Sequence, residues 1–139
     1  MRAKRFLEQF RVQTWKVRRL EAEIQAINDE FSFSQDMTSD KVQSSPKPDR
    51  IGEIIAKKSD KVEEMWSEVD KAQELMEEIE AVIEQVSKES LKFLLVERYI
   101  NFKTWSVIER EMGFNSSGRW VHKLHGRALN EVERIINGV

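Results

Sequence analysis

Residues 91–129 read LKFLLVERYINFKTWSVIEREMGFNSSGRWVHKLHGRAL, and most of the fold follows from this stretch. Its apolar spacing predicts a helix over residues 88–101 and then a short helix with Thr104 as its N-cap. Gly113 is expected to end that short helix in the left-handed conformation. A third and more basic helix follows. Three short helices with a glycine-bearing break before the last are typical of a helix-turn-helix.

Each of these helices has an apolar face that can join a shared core. The inward residues are Leu91, Leu94, Leu95, Arg98 and Tyr99 in the first helix, Trp105, Ile108 and Met112 in the second, and Val121, Leu124, Ala128, Val132 and Ile135 in the third.

Two heptad seams lie upstream of these helices and predict two long helices. The first seam is Phe6, Phe10, Gln13, Val17, Leu20, Ile24, Ile27 and Phe31, and the second is Ile51, Ile55, Lys58, Val62, Met65, Val69, Ala72, Met76, Ile79, Ile83 and Val86. Residues 32–48, rich in Ser and Thr with two prolines, are predicted to be a flexible connector that Asp49 ends as an N-cap.

The connector is long enough for the chain to reverse. An antiparallel hairpin would place Leu20 near Val62 and Phe10 near Ala72, and would leave Ile79, Ile83 and Val86 to dock the C-terminal helices. An intermolecular coiled coil, and so a homodimer, uses the same seams equally well. Trp15 and Trp66 flank the seams and are predicted to be packing residues, like Trp105.

The sequence therefore predicts an all-α protein in two parts. Residues 1–86 form a long antiparallel helical hairpin, or coiled coil, with its connector at 32–48. Residues 87–139 form the helix-turn-helix domain.

Composition excludes several classes of protein. Cysteine is absent, so disulfides, thiolate metal sites and a cysteine nucleophile are excluded. No apolar run approaches the roughly 20 residues of a membrane span, and no signal core precedes the first helix. We expect a cytosolic protein without a cofactor. No Ser-His-Asp spacing or glycine-rich phosphate loop is present, and Glu109 and Glu111 point to different sides, so no catalytic residue and no enzyme activity are predicted.

Charge is distributed unevenly along the chain. Residues 49–86 hold five basic and twelve acidic side chains, whereas residues 87–139 hold nine basic and six acidic ones. A basic C-terminal end suits a polyanion, and an acidic long helix would be repelled by one.

The outward face of the last helix carries the predicted chemistry. Its residues are Arg119, His122, Lys123, Gly126 and Asn130, with Arg127 at its edge. Arginine can bond guanine bidentately in the major groove, lysine can bind guanine or phosphate, and a glycine lets a nucleic-acid strand come close. A merely solvated helix face is the alternative.

The last helix also carries a pair of histidines and a tryptophan that offer other chemistry. His122 and His125 are three residues apart, but no further ligand type lies nearby, so no metal site is predicted. Trp120 falls between the inward and outward stripes, and packing against the preceding helices is favoured over stacking on a sugar or base.

The segments ERYINFKTW (97–105) and VHKLHGRAL (121–129) resemble an uncharacterised family encoded by phages and mobile elements of Gram-positive bacteria. That family is similar to sigma factor region 4 at its C-terminus and is related to the RinA and ArpU types of phage late-gene activator. The resemblance implies that Ser117 caps the recognition helix (Ser116 is the alternative from spacing). It also implies that Gly118, Arg119, His122 and Lys123 face DNA.

The chain departs from the family pattern at two points. Glu109 stands where a small residue is usual, and the turn from Gly113 to Ser117 is two residues longer. Both changes predict a wider crossing of the two helices.

The resemblance implies a phage or prophage DNA-binding transcriptional regulator that binds double-stranded DNA through Ser117, Gly118, Arg119, His122 and Lys123. The outward face of the last helix adds Gly126 and Arg127 to the predicted DNA-binding residues. RNA polymerase is a second expected partner, and a membrane is not. Two alternatives are a protein-binding adaptor acting on RNA polymerase or a host factor, and a DNA-packaging protein resembling a small terminase subunit.

Overall fold

A computed structural model describes residues 1–39, 48–114 and 118–138, and over these residues the protein is all-helical, as predicted. Its helices are α1 (Arg2–Ser39), α2 (Pro48–Glu84), α3 (Glu89–Leu95) with a π-helical turn (Val96–Ile100), α4 (Trp105–Glu111) and α5 (Arg119–Asn137). Among the described residues, none of the helices is long and apolar enough to cross a lipid bilayer.

The two long helices extend further than the sequence predicted. Residues 32–39, expected in the connector, continue α1 to Ser39, because Ser and Thr disfavour a helix by only tenths of a kcal/mol and no Pro or Gly interrupts them. Helix α2 begins at Pro48, where a missing N–H costs nothing. Asp49 is therefore not the N-cap but a first-turn acid, which favours the positive end of the helix dipole. The rest of the connector, residues 40–47, lies outside the described residues.

Two compact units divide the chain. One comprises residues 1–13 and 72–139, and the other comprises residues 14–71.

The first unit contains a continuous apolar core. Among the described residues, this core consists of fifteen buried side chains: Ala3 and Leu7 of α1, Ile79, Ile83 and Val86 at the end of α2 and after it, and Leu91, Leu94, Leu95, Tyr99, Ile108, Val121, Leu124, Ala128, Leu129 and Val132 of the C-terminal helices. The expected docking of Ile79, Ile83 and Val86 against these helices is confirmed. Ala3 and Leu7 were missed, because their partners are over 70 residues away in sequence.

The second unit has a narrower apolar layer. Leu20, Ile27 and Ile54 are buried there, and Lys61 forms an ion pair with Glu23 at 3.1 Å. The prediction that Ile55 belongs to the seam was wrong, since Ile55 is 54% exposed and Ile54 is 5% exposed. Ile55 keeps the alternating spacing of four and three residues from Ile51 to Lys58, and Ile54 lies one position away from it, so tertiary packing overrides strict heptad spacing here.

The two tryptophans of this unit do not pack as predicted. Trp15 is 56% exposed and Trp66 is 58% exposed. Each tryptophan lies beside its seam, on a part of the helix surface that faces away from the apolar layer. The indole rings therefore do not reach the layer that contains Leu20 and Ile27.

The π-turn at Val96–Ile100 is a further structural feature that the sequence did not indicate. Asn101 donates its backbone N–H to the Val96 carbonyl at 3.0 Å, so this turn holds one more residue than an α-helical turn. The change of register brings the Glu97 side chain inward, where it is 7% exposed. Its carboxylate pairs with Lys103 and accepts from Asn101 Nδ2 at 2.8 Å, and the Lys103 hydrogen bond lowers the pKa of Glu97.

Candidate nucleic-acid interface

Helix α4 begins and ends as the sequence predicted. The Thr104 hydroxyl accepts from the Val107 backbone N–H at 3.4 Å. At the other end Gly113 has φ 77°, a backbone conformation that glycine adopts without a Cβ penalty. Gly113 N–H donates to the Arg110 carbonyl at 3.1 Å and Phe114 N–H to the Glu109 carbonyl at 2.9 Å, the paired bonds of a Schellman motif. This motif fixes the direction in which the chain leaves α4.

Helix α5 begins after a glycine. Gly118 is its N-cap residue, with φ 85°, and provides no side-chain cap. The predicted caps Ser116 and Ser117 lie outside the described residues, so the role of Ser117 stays a prediction. Gly118 was expected to face DNA, and it stands at the N-terminus of α5, where the first free amide groups of the helix lie.

The inward stripe of α5 is confirmed. Val121, Ala128 and Val132 have no exposed surface, Leu124 is buried, and Ile135 is partly buried against the same core. This burial fixes the rotation of α5, so the opposite stripe must face solvent.

That outward stripe is exposed at every predicted position that the structure describes. Arg119, His122, Lys123, Gly126 and Arg127 are all exposed, as is Asn130. Within the described parts of the chain, no ion pair engages the charged groups of Arg119, Lys123 or Arg127. Three cations on one helical face are thus available to an anionic ligand.

Trp120 forms the edge of this cationic face. Its ring packs edge-on against Phe114, with centroids 6.3 Å apart, and remains 41% exposed. Lys123 Nζ lies 5.8 Å from the ring centroid and Arg127 Cζ lies 6.0 Å from it. Such cation–π contacts hold both cations near the outer surface of α5. Phe114, one packing partner of this ring, belongs to the turn after α4.

On the other flank of α5, a cluster of rings joins α5 to the π-turn and to α4. Tyr99 Oη and His125 Nε2 are hydrogen-bonded at 2.7 Å, and the Trp105 ring lies edge-on to His125 with centroids 4.6 Å apart. Arg98 Cζ lies 4.5 Å from the Trp105 centroid, and His122 packs against the same indole at 5.3 Å. These contacts position α5.

The pKa values of His125 and Tyr99 are both shifted in the direction that favours the neutral form of each group. Burial, followed by the charges of Lys4, Arg98 and His122, lowers the pKa of His125 to about 4. Burial also raises the pKa of Tyr99 to about 12. Both groups are therefore neutral near pH 7, and the hydrogen bond between them carries no net charge. Sequence spacing alone could not reveal this pair, whose members are 26 residues apart.

Glu109 lies beside the N-terminus of α5. An ideal Cβ built on Gly118 would be 3.9 Å from Glu109 Oε2 and 3.6 Å from His122 Cδ2. A carboxylate favours the positive end of a helix dipole but repels a phosphate that approaches the same end. Glu109 therefore opposes anion binding at the first turn, and the cations of the later turns favour it.

Comparison of the chain with protein-family models, curated proteins and solved structures gives no match.

Proposed function

We propose that this protein is a phage or prophage transcriptional regulator that binds double-stranded DNA with α5 as the recognition helix. In this proposal α4, its turn and α5 form a helix-turn-helix of sigma region 4 type. Helices α1 and α2 form the antiparallel hairpin that carries it. The observation that supports the proposal best is the outward face of α5. Arg119, Lys123 and Arg127 are exposed there and form no ion pair with a residue that the structure describes, while the opposite face is buried.

The hairpin is supported within each unit separately. The Glu23–Lys61 ion pair joins the middle of α1 to the first half of α2. In the other unit Leu7 and Ile79 belong to one buried cluster, which joins the start of α1 to the end of α2. Both pairings suit antiparallel helices.

Spacing on α5 suits a major groove. Arg119 and Lys123 are one turn apart near the N-terminus of the helix, where recognition helices meet base edges. Gly126 is one turn further, and a Cβ at that position would meet open space, so a DNA strand can approach the backbone there. Arg127 would contact the phosphates of the same strand.

Fluorescence anisotropy with a random-sequence duplex at about 50 and about 200 mM salt tests the proposal. Wild-type affinity should fall steeply with salt, because each neutralised phosphate releases counterions. Arg119→Ala/Lys123→Ala should weaken binding and reduce the slope of log affinity against log salt by about 2. Lys57→Ala/Lys58→Ala, which removes the same charge from exposed positions of α2, is the matched control and should change neither quantity.

Absence of binding at the lower salt concentration contradicts the proposal. An equal loss of DNA affinity in Arg119→Ala/Lys123→Ala and in Lys57→Ala/Lys58→Ala also contradicts it, since the net charge of the protein alone would then govern binding. In the first case the adaptor function, in which the protein contacts RNA polymerase or a host factor, becomes the better account.

A further inference from the structure

Helix α1 carries a second apolar stripe on the side opposite its inward seam. The stripe consists of Trp15, Ala22, Ala26 and Phe33, all of them exposed. Their spacings of seven, four and seven residues place them within about 20° of one line on the helix surface, over about 27 Å. Trp15 is 56% exposed and Phe33 is 65% exposed, so more than half of each aromatic side chain faces solvent.

This stripe is complementary to itself. A two-fold axis at the height of residue 24 pairs Trp15 with Phe33 of a second copy, and Ala22 with Ala26 of that copy. The two alanines at the centre let the helix axes approach closely, and the large rings cover both ends. An isologous contact of this kind closes after two subunits.

Charges beside the stripe favour the same arrangement. Arg18 and Asp29 lie on one flank, and Arg19 and Glu30 lie on the other, all four exposed. Antiparallel pairing about residue 24 places Arg18 beside Asp29 of the second copy and Arg19 beside Glu30, and the two-fold axis repeats both pairs. Parallel pairing would instead place arginine beside arginine and acid beside acid, which is repulsive.

Within a single chain, two of these charged side chains, Arg19 and Asp29, interact with neighbours on α1 only weakly, so these contacts would compete little with pairing to a second copy. Arg19 lies 3.6 Å from Glu23, with the arginine side chain 64% exposed, and Asp29 accepts from Gln25 on the surface of α1. Exposed pairs along one helix contribute only a few tenths of a kcal/mol.

We infer that residues 15–33 of α1 form an antiparallel dimer interface with a second copy of this chain. The heptad seam is not required for this contact, since Leu20 and Ile27 are already buried within a single chain. The inference does not depend on DNA binding.

Sedimentation velocity of the full chain, from about 1 to about 100 µM, tests the inference. The wild type should be a dimer at the upper concentration. Trp15→Ala/Phe33→Ala should raise the dissociation constant on the order of 100-fold or more, because each change occurs twice in the interface. Trp66→Ala is the matched control: it removes an equally exposed indole from α2 and should leave the dimer intact. Circular dichroism verifies that each variant keeps its helical content.

Charge exchange tests the orientation of the helices. Arg18→Glu/Arg19→Glu and Asp29→Arg/Glu30→Arg should each weaken the dimer, and the four changes in one chain should restore it. Restoration supports antiparallel pairing, because a parallel pair would keep like charges together in the fourfold variant.

Three results would overturn the inference. They are a monomeric wild type at about 100 µM, a dimer that withstands Trp15→Ala/Phe33→Ala, and an assembly larger than a dimer.

Discussion

The two compact units bury apolar side chains to very different extents. The described parts of residues 1–13 and 72–139 enclose one cluster of fifteen buried apolar residues contributed by several helices, whereas the described part of residues 14–71 buries Leu20, Ile27 and Ile54. The larger core holds α5 in one orientation, which a binding face needs. The narrower layer leaves Trp15, Phe33 and Trp66 at the surface, where a partner can cover them. One unit is thus organised around its own core, and the other carries apolar surface suited to a partner.

The largest expected effect comes from comparing one buried leucine in each unit. Leu94 and Leu20 are both buried almost completely. Leu94→Ala should lower the free energy of unfolding by about 4 kcal/mol, because the surrounding core cannot collapse into the cavity. Leu20→Ala should lower it by about 2 kcal/mol, because a two-helix layer can collapse into the space left by the side chain. Urea unfolding followed by circular dichroism measures both values. If the two substitutions destabilise the protein equally, or if Leu20→Ala destabilises it more, the two units do not differ in how tightly their apolar residues are packed.

Mild acid should weaken the larger core through His125. Its pKa is lowered from 6.5 to about 4, so the unfolded chain binds a proton first and stability falls as the pH drops from 6.5 toward 4. After allowance for solvent screening, the loss amounts to about 2 kcal/mol. Urea unfolding between pH 7 and pH 4.5 measures it. The lower end of this range also includes the start of the loss from Glu97, whose lowered pKa stabilises the fold fully only well above the unfolded value of 4.5.

Variants identify the source of that pH dependence. His125→Gln should be less stable at pH 7 and nearly insensitive to pH over this range. His122→Gln, which changes an exposed imidazole on the same helix, should retain most of the wild-type slope, because burial is the main cause of the lowered pKa of His125 and the charge of His122 contributes less. If the His125 variant keeps that slope, another group is responsible.

Gly126→Ala should separate stability from binding. An alanine in the middle of α5 should stabilise the fold by about 1 kcal/mol. Its methyl group would lie where a DNA strand is proposed to approach, so DNA affinity should fall. Gly52→Ala on α2, where a Cβ also meets open space, is the control and should stabilise the protein without loss of affinity. Thermal unfolding and anisotropy measure the two effects, and unchanged affinity in Gly126→Ala would argue against close approach at this position.

The smallest expected effect concerns Glu109. Glu109→Gln removes the carboxylate beside the N-terminus of α5 and should raise affinity for random DNA about two- to fivefold. Glu89→Gln makes the same charge change on α3 and should alter affinity less. Anisotropy at low salt compares the two variants, and equal increases would indicate a long-range charge effect instead.

Local signals in the sequence were sufficient for part of this fold. The Thr104 cap, the Gly113 terminus and the inward stripe of α5 depend on residues within one or two helical turns, and all three were predicted correctly. The exposed stripe of α5 follows directly from the buried one.

Other features depend on contacts that spacing does not encode. The burial of Leu7 requires partners near the end of α2, and the Tyr99–His125 hydrogen bond joins two helices. The π-turn at Val96–Ile100 changes the register of its helix by one residue, which brings Glu97 inward. Strict heptad spacing selects Ile55, so the burial of Ile54 in its place depends on tertiary packing that the pattern does not encode.

An NMR titration of the isotope-labelled protein with a random-sequence duplex at low salt tests the central proposal most directly. We expect the largest amide shifts in residues 118–130, with residues 14–71 unchanged. The basic N-terminal part of α1, which includes Arg2, Lys4 and Arg5, is the rival site for a polyanion. Shifts that concentrate there, or no shifts at all, would contradict the assignment of α5 as the DNA-binding helix.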